Sequence, residues 1–394
     1  MTTTGSPKIL ITSVKAGAGH VKAAEALEAA FSLKYPYFTI RNVDLLDYSS
    51  YLARQFYGKT YIDVVKKLPE LYGYLYKNYR GLQGLAGPRL MFDRLNAAAY
   101  LDLVDDFEPD AVITTHFIAA ALAADYRDRK RKTFPVFVTI TDYEIHPLWV
   151  IRTAEIERYS VAHEEMKNHL KLLGVPEERV IIAGIPINPR FVEKKDPTAL
   201  KTKYGIKDTS PVVLLIAGSF GTTPIGDIID QFKLIPSQFQ LIVVCGKNKK
   251  LSEKIRAKQS NEPRITLVYE FVDFVDELMR VSDILISKPG GITTSESLAI
   301  GLPMLLVDPI PGQEEANVDY FLEKGVGLKA RSPESLIFKL GDVLSHPERL
   351  QEMRENVTRI AKPQAAFTVA DEVVKILSEE TETERTAGNR SPIK

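Results

Sequence analysis

Apolar runs without polar alternation recur along the chain: "KILITS", "FTIRNVD", "AVITT", "VFVTIT", "YSVA" and "VIIAG", then "VVLLIAG", "LIVVC", "ITLV", "ILIS" and "MLLVD". An antiparallel strand with one wet face would alternate, whereas a parallel strand covered by helices on both faces need not. Longer stretches of helical periodicity separate the runs, so the pattern predicts an α/β chain of two doubly wound parallel sheets. At 394 residues the chain also exceeds what one core usually supports.

The rhythm breaks at "IPINPRFVEKKDPTALKTKYGIKDTSP", rich in proline and charge, which places a linker near residues 187–200. The predicted domains are 1–190 and 191–364. A last amphipathic helix at about 365–380 is expected to pack back on the first domain, and 381–394 reads as a disordered tail. Basic and acidic residues balance at 51 each, which gives no reason to expect nucleic acid. Cys245 has no cysteine to pair with, and it is a poor nucleophile candidate inside "LIVVC". "MTTTGSPK" lacks the features of a signal peptide, and no apolar stretch approaches the roughly 20 residues of a spanning helix. A cytoplasmic protein that touches a membrane only from outside is expected.

From Tyr51 to Leu95 no strand is evident. This span carries tyrosines 51, 57, 61, 72, 74, 76 and 79 and eight Lys/Arg against Asp63, Glu70 and Asp93. One reading is a helical pair whose tyrosines pack on the sheet. The other is a surface for lipid head groups, since aromatic rings favour the membrane interface and basic side chains favour anionic lipid. Residues 1–190 as a whole are nearly balanced, with 24 Lys/Arg against 22 Asp/Glu, so membrane attraction rests on this span.

Two glycine-bearing corners carry the chemistry. In "SVKAGAGHVKAAEAL", Gly17 and Gly19 lie between the first strand and a helix whose apolar side is Val21, Ala24, Leu27 and Phe31. Glycines there let the backbone turn sharply and approach a ligand, and the helix start favours an anion. The third glycine of a dinucleotide fingerprint is missing, since Lys22 takes its place. His20 at the helix start is expected to be neutral, because the helix dipole disfavours its cation, and so able to accept a proton. In the second corner, "ILISKPGGITTSESLAIGLPMLLVDPIPGQEEAN", Gly290 and Gly291 precede a helix expected to begin around Thr293. Its free N–H groups suit a diphosphate without a metal. Glu296, one turn in, is placed to accept from two ribose hydroxyls. Gln313, Glu314 and Asn317 follow the next strand, where sugar hydroxyls could lie.

In order, "AGAGHVKAAEAL", "TDYEIHPLWV", "IIAGIPINPRF", "LIAGSFG", "VVCGKN" and the Gly290 corner resemble family-28 glycosyltransferases of the glycolipid branch, the processive diacylglycerol glucosyltransferases and monogalactosyldiacylglycerol synthases. The resemblance covers roughly residues 8–375. It implies the GT-B fold, two Rossmann-like domains facing a central cleft, and no cofactor or metal. It also implies that Gly218 and Ser219 contact the diphosphate, that Phe271 and Val272 present backbone to the uracil, that Glu296 holds the ribose, and that Gln313 and Glu314 read the hexose. His20 is then the suspected base, with Asp142 as the other candidate. Asp142 and His146 would lie on the acceptor side, and Trp149 could meet lipid; Gly17, Gly19 and His116, which follows a strand and can also reach the cleft, are the further acceptor-side candidates. His163, His169 and His346 are expected at the surface.

The expected function is inverting transfer of a hexose from a UDP-sugar to diacylglycerol, or to glycosyl-diacylglycerol in further rounds, at the cytoplasmic face of a membrane with anionic lipids. The sequence leaves glucose and galactose both open. A UDP-sugar 2-epimerase shares the fold but needs no lipid acceptor, which the tyrosine-rich span and "HPLW" argue against. A catalytically silent sensor of nucleotide-sugar and membrane is the reading from another class.

Overall fold

A computed structural model describes residues 6–15, 17–60, 68, 70, 86–207, 210–217 and 225–388, with the side chains of 58–60, 86–88 and 380–388 outside the description. The chain divides into two compact units, one up to Pro189 together with Gln364 onward, the other Arg190–Pro363.

The first unit runs β1 (Lys8–Ser13), α1 (Ala18–Lys34), β2 (Thr39–Asp44), α2 (Tyr51–Arg54), α3 (Ala86–Asn96), α4 (Ala98–Phe107), β3 (Ala111–Thr114), α5 (Phe117–Lys130), β4 (Val136–Thr139), β5 (Arg158–Val161), α6 (Glu164–Leu172) and β6 (Val180–Ile182). Its sheet is parallel, in the order β2-β1-β3-β4-β5-β6. β3 and β4 are buried at every residue, which is why their sequences need not alternate. Strand order reverses between β1 and β3, and loops at the C-terminal ends of strands flanking such a reversal are where open α/β sheets bind ligands.

The second unit runs α7 (Pro197–Tyr204), β7 (Val212–Ile216), α8 (Ile225–Gln231), β8 (Gln240–Val244), α9 (Lys249–Lys258), β9 (Ile265–Tyr269), α10 (Val275–Arg280), β10 (Ile284–Ser287), α11 (Gly291–Ile300), β11 (Met304–Val307), α12 (Gln313–Glu323), β12 (Gly327–Ala330), α13 (Pro333–Ser345) and α14 (Pro347–Ile360). Its parallel sheet has the order β12-β11-β10-β7-β8-β9, with the reversal between β10 and β7. Cys245 lies fully buried just past β8, and burial pushes its thiol up to about 11, so it is no nucleophile.

α15 (Ala365–Gly388) returns to the first unit. Its Val369, Ala370, Val373 and Ile376 join Ile9, Ile11, Leu27, Phe31, Ile113 and Phe137 in one core, and Asp371 takes Lys34 at 2.6 Å and the Tyr35 hydroxyl at 2.8 Å. The helix runs on through Gly388, into the expected tail. Residues 381–388 are helical, because a helix already nucleated and packed gains a hydrogen bond with each residue added.

Candidate active site

Three loops converge at the reversal point of the first sheet. β1 leads through Gly17 to α1, β3 leads through Thr115 and His116 to α5, and β4 leads into residues 140–149. His20, in the first turn of α1, is held from two of them. Its Nδ1 lies 2.6 Å from the Thr115 carbonyl and 3.0 Å from Thr141 Oγ1, while the Thr115 hydroxyl donates to the His20 carbonyl at 2.9 Å. A carbonyl oxygen can only accept, so Nδ1 carries the proton of the neutral ring and Nε2 is left as a lone pair.

The neutrality expected of His20 has a different main cause. Burial lowers its pKa to about 4, working against the Thr115 hydrogen bond, which raises it. Its ring stands edge-on to His116 with centroids 4.6 Å apart and lies 6.5 Å from Trp149. His116 is buried, caps α5 by accepting the Ile118 N–H at 3.2 Å, and is lowered well below the usual imidazole range by burial, by His20 and by Arg89.

Asp142, buried, directly follows Thr141, the residue that touches His20. His146, also buried, accepts the Leu148 N–H at 3.2 Å and so starts the short 3-10 turn Pro147–Val150. That turn carries Trp149 inward. Trp149 is only 4% exposed, with its ring against Phe117 at 5.8 Å, so it walls the histidine pair and offers lipid no surface. His163 is no plain surface residue either. Its Nε2 donates to the Tyr143 carbonyl at 3.0 Å and its ring stacks on Tyr143, pinning the same loop.

The glycines do not serve to turn the chain. Gly17 caps α1 at φ −166°, ψ 161°, ordinary extended backbone, and a Cβ there would meet nothing within 4 Å. Gly290 caps α11 at φ −70°, ψ 137°, and a Cβ there would meet only Glu314 Oε1, at an ordinary 3.8 Å. Neither backbone strain nor packing requires glycine at these two positions. What the missing side chain leaves is close access to the first N–H groups of each helix. Gly19 lies in the first turn of α1.

In the second unit, α11 begins at Gly291, two residues ahead of the expected Thr293, which falls within its first turn. Its N-cap, Gly290, has no side chain with which to cap this start. Thr294 and Ser295 turn their hydroxyls back to the Gly290 and Gly291 carbonyls at 3.0 and 2.7 Å, so the turn is fixed from within. Glu296 is buried one turn in. Asn317 acts as a brace. It is fully buried and its amide donates to the Pro289 carbonyl at 3.0 Å, which holds the loop ahead of Gly290. Glu314 Oε2 accepts the Ile310 N–H at 2.7 Å, while Oε1 faces Gly290. Gln313 opens α12. Phe271 lies past β9 with its ring 66% exposed, next to half-buried Val272. Gly218 and Ser219 lie outside the described residues, as do Tyr61, Tyr72, Tyr74, Tyr76 and Tyr79. Among the described residues, no group of His, Cys, Asp and Glu could hold a metal ion.

The pieces define a class. The chain is similar in structure to UDP-GlcNAc 2-epimerase from Neisseria meningitidis (TM-score 0.60, 16% identity, 94% of this chain and 100% of that one). MurG of Acinetobacter baumannii is comparably similar (TM-score 0.60, 15% identity, 94% and 99%). These place the chain in the GT-B fold of two Rossmann-like domains. Residues 20–187 match the family model described as monogalactosyldiacylglycerol (MGDG) synthase, and residues 212–369 match the glycosyltransferase family 28 C-terminal domain. The chain is 31% identical, over 405 aligned positions, to a processive diacylglycerol beta-glucosyltransferase of Bacillus thuringiensis strain Al Hakam, covering 99% of this chain and 97% of that one. A Bacillus cereus strain AH820 protein of the same description is also 31% identical, over 94% of both chains. The chain therefore belongs to the glycolipid branch of the family-28 glycosyltransferases.

Proposed function

We propose that the enzyme transfers a hexose, glucose in the first instance, from a UDP-sugar to diacylglycerol with inversion. The first unit supplies the acceptor side and the second the nucleotide-sugar side. The observation that carries this reading is the tautomer of His20. With Nδ1–H committed to the Thr115 carbonyl, Nε2 is the atom that takes the acceptor hydroxyl proton as the oxygen bonds to the anomeric carbon. The bond from that carbon to UDP breaks in the same displacement, which inverts the centre. Negative charge on the leaving UDP meets the glycine-capped start of α11, Glu296 holds the ribose, and Gln313 and Glu314 read the hexose. The 31% identity to proteins named diacylglycerol glucosyltransferases supports this reading over the epimerase, whose similarity is one of fold.

Delivery of a lipid alcohol needs contact with a membrane. Tyr51, Leu52 and Phe56 on α2 and the turn after it are each more than half exposed, as are Met91 and Leu95 on α3. The two segments are tied together by the Phe56–Phe92 ring contact and by the Tyr57 hydroxyl on Asp93 at 2.6 Å. This face rests on the lipid surface at the cytoplasmic side, with neighbouring basic residues favouring anionic lipid. No described helix is long and apolar enough to cross a membrane.

Incubation with radiolabelled UDP-glucose and diacylglycerol vesicles should move label into the organic extract. His20→Ala should lower the rate by about 10² to 10⁴. Label that stays aqueous with the wild-type enzyme overturns the assignment, and a His20→Ala rate above about a tenth of wild type removes His20 as base.

A further inference from the structure

Two imidazoles meet beyond the ends of β1 and β3, and their ring nitrogens are committed to opposite roles. His20 donates from Nδ1, so its Nε2 accepts. His116 does the reverse. Its Nδ1 accepts the Ile118 N–H as the cap of α5, so the neutral ring carries its proton on Nε2. The rings stand at 79°, with Phe117 4.2 Å and Trp149 6.4 Å from His116 on its other sides. Backbone contacts thus leave one ring with an acceptor nitrogen and the other with a donor nitrogen, the ring centroids 4.6 Å apart.

We propose that His116 is an acceptor-binding residue whose Nε2–H donates to an oxygen adjacent to the hydroxyl that His20 deprotonates. A bond donated to the attacking oxygen itself would draw electron density from the nucleophile, so the partner must be its neighbour. In diacylglycerol that neighbour is the ester on the next carbon, and in hexosyl-diacylglycerol it is a vicinal hydroxyl. The inference rests on the diacylglycerol reading above.

Capping of α5 is the rival role, and two substitutions separate the roles. His116→Asn keeps an oxygen near the Nδ1 position for the Ile118 N–H, asparagine being a strong cap, but has no donor that reaches the Nε2 position. His116→Gln places an amide N–H near Nε2 and gives up the cap. The Asn variant should raise KM for dioleoylglycerol about three- to tenfold, with the loss falling on KM rather than kcat and UDP affinity kept. The Gln variant should hold KM within about twofold, the spread a hydrogen bond of altered geometry allows, while melting at lower temperature. The reverse pattern, or an equal rise of KM in both, makes His116 a structural cap and overturns the proposal. ¹⁵N NMR of the ring nitrogens, read without substrate, should show Nδ1–H for His20 and Nε2–H for His116. One tautomer for both overturns the pairing. Opposite tautomers in an enzyme that does not glycosylate diacylglycerol would instead fault the functional reading.

Discussion

Acid is the sharpest probe of the His20 environment. Burial holds its pKa at about 4, against an ordinary imidazole value of 6.5. At pH 5.5 an ordinary histidine is about nine-tenths protonated, whereas His20 should be only a few per cent so. kcat/KM reports the free enzyme, and it should stay level down to about pH 5 and fall with a midpoint near 4. Stability must follow the same shift. Above about pH 6.5 both folded and unfolded imidazoles are neutral and the shift costs nothing. As pH falls through 6.5, the unfolded chain binds a proton that the native ring refuses, and native stability drops until the native ring also titrates near 4. The gap corresponds to about 3 kcal/mol at most, and His116, shifted the same way, adds to the loss. Urea unfolding between neutral pH and the titration of the native ring should therefore show wild type losing more stability than His20→Gln. An acidic midpoint of kcat/KM near 6.5, or parallel stability curves for the two proteins, would refute the reasoning.

Glu296→Ala should weaken UDP binding about tenfold or more by calorimetry, the loss expected for hydrogen bonds to a buried carboxylate; an unchanged dissociation constant takes Glu296 out of the site. Gly290→Ala has an ordinary backbone angle and room for its methyl, so its melting temperature should stay near wild type while UDP binding falls; normal binding would remove close ligand approach as the reason for glycine. Asn317→Ala strands the Pro289 carbonyl in the interior and should cost about 1–3 kcal/mol in urea unfolding, with equal midpoints counting against the brace.

Strands were the most legible part of the fold, because a strand buried on both faces must be apolar at consecutive positions, as β3, β4 and β8 are. The two helix-start corners were legible for a related reason, since glycine between a strand and a helix is rare without a purpose. What the glycines do there was not, because that depends on φ and on neighbouring atoms, and both caps adopt angles any residue could take. The partners of His20 were equally hidden. Thr115 and Thr141 lie 95 and 121 residues away, and only the β1-β3-β4 order brings them to one imidazole. The one available hint was that "ITTHF" and "TITDYEIHPLW" each close an apolar run with threonine and histidine, the mark of a strand end turned toward chemistry. The burial of Trp149 and Asn317 was hidden because stretches that read as exposed loops fold as a 3-10 turn and as the first turns of α12, each turning these side chains inward.

The α15 helix bears on how this protein is born. A ribosome makes β1 before the second unit and α15 after it, so Ile9, Leu27 and Phe31 wait for Val373 and Ile376 until the whole second unit has been made. The unit begun before the second one is completed only after it, and a nascent chain stalled anywhere in the second unit carries an apolar seam for chaperones to hold.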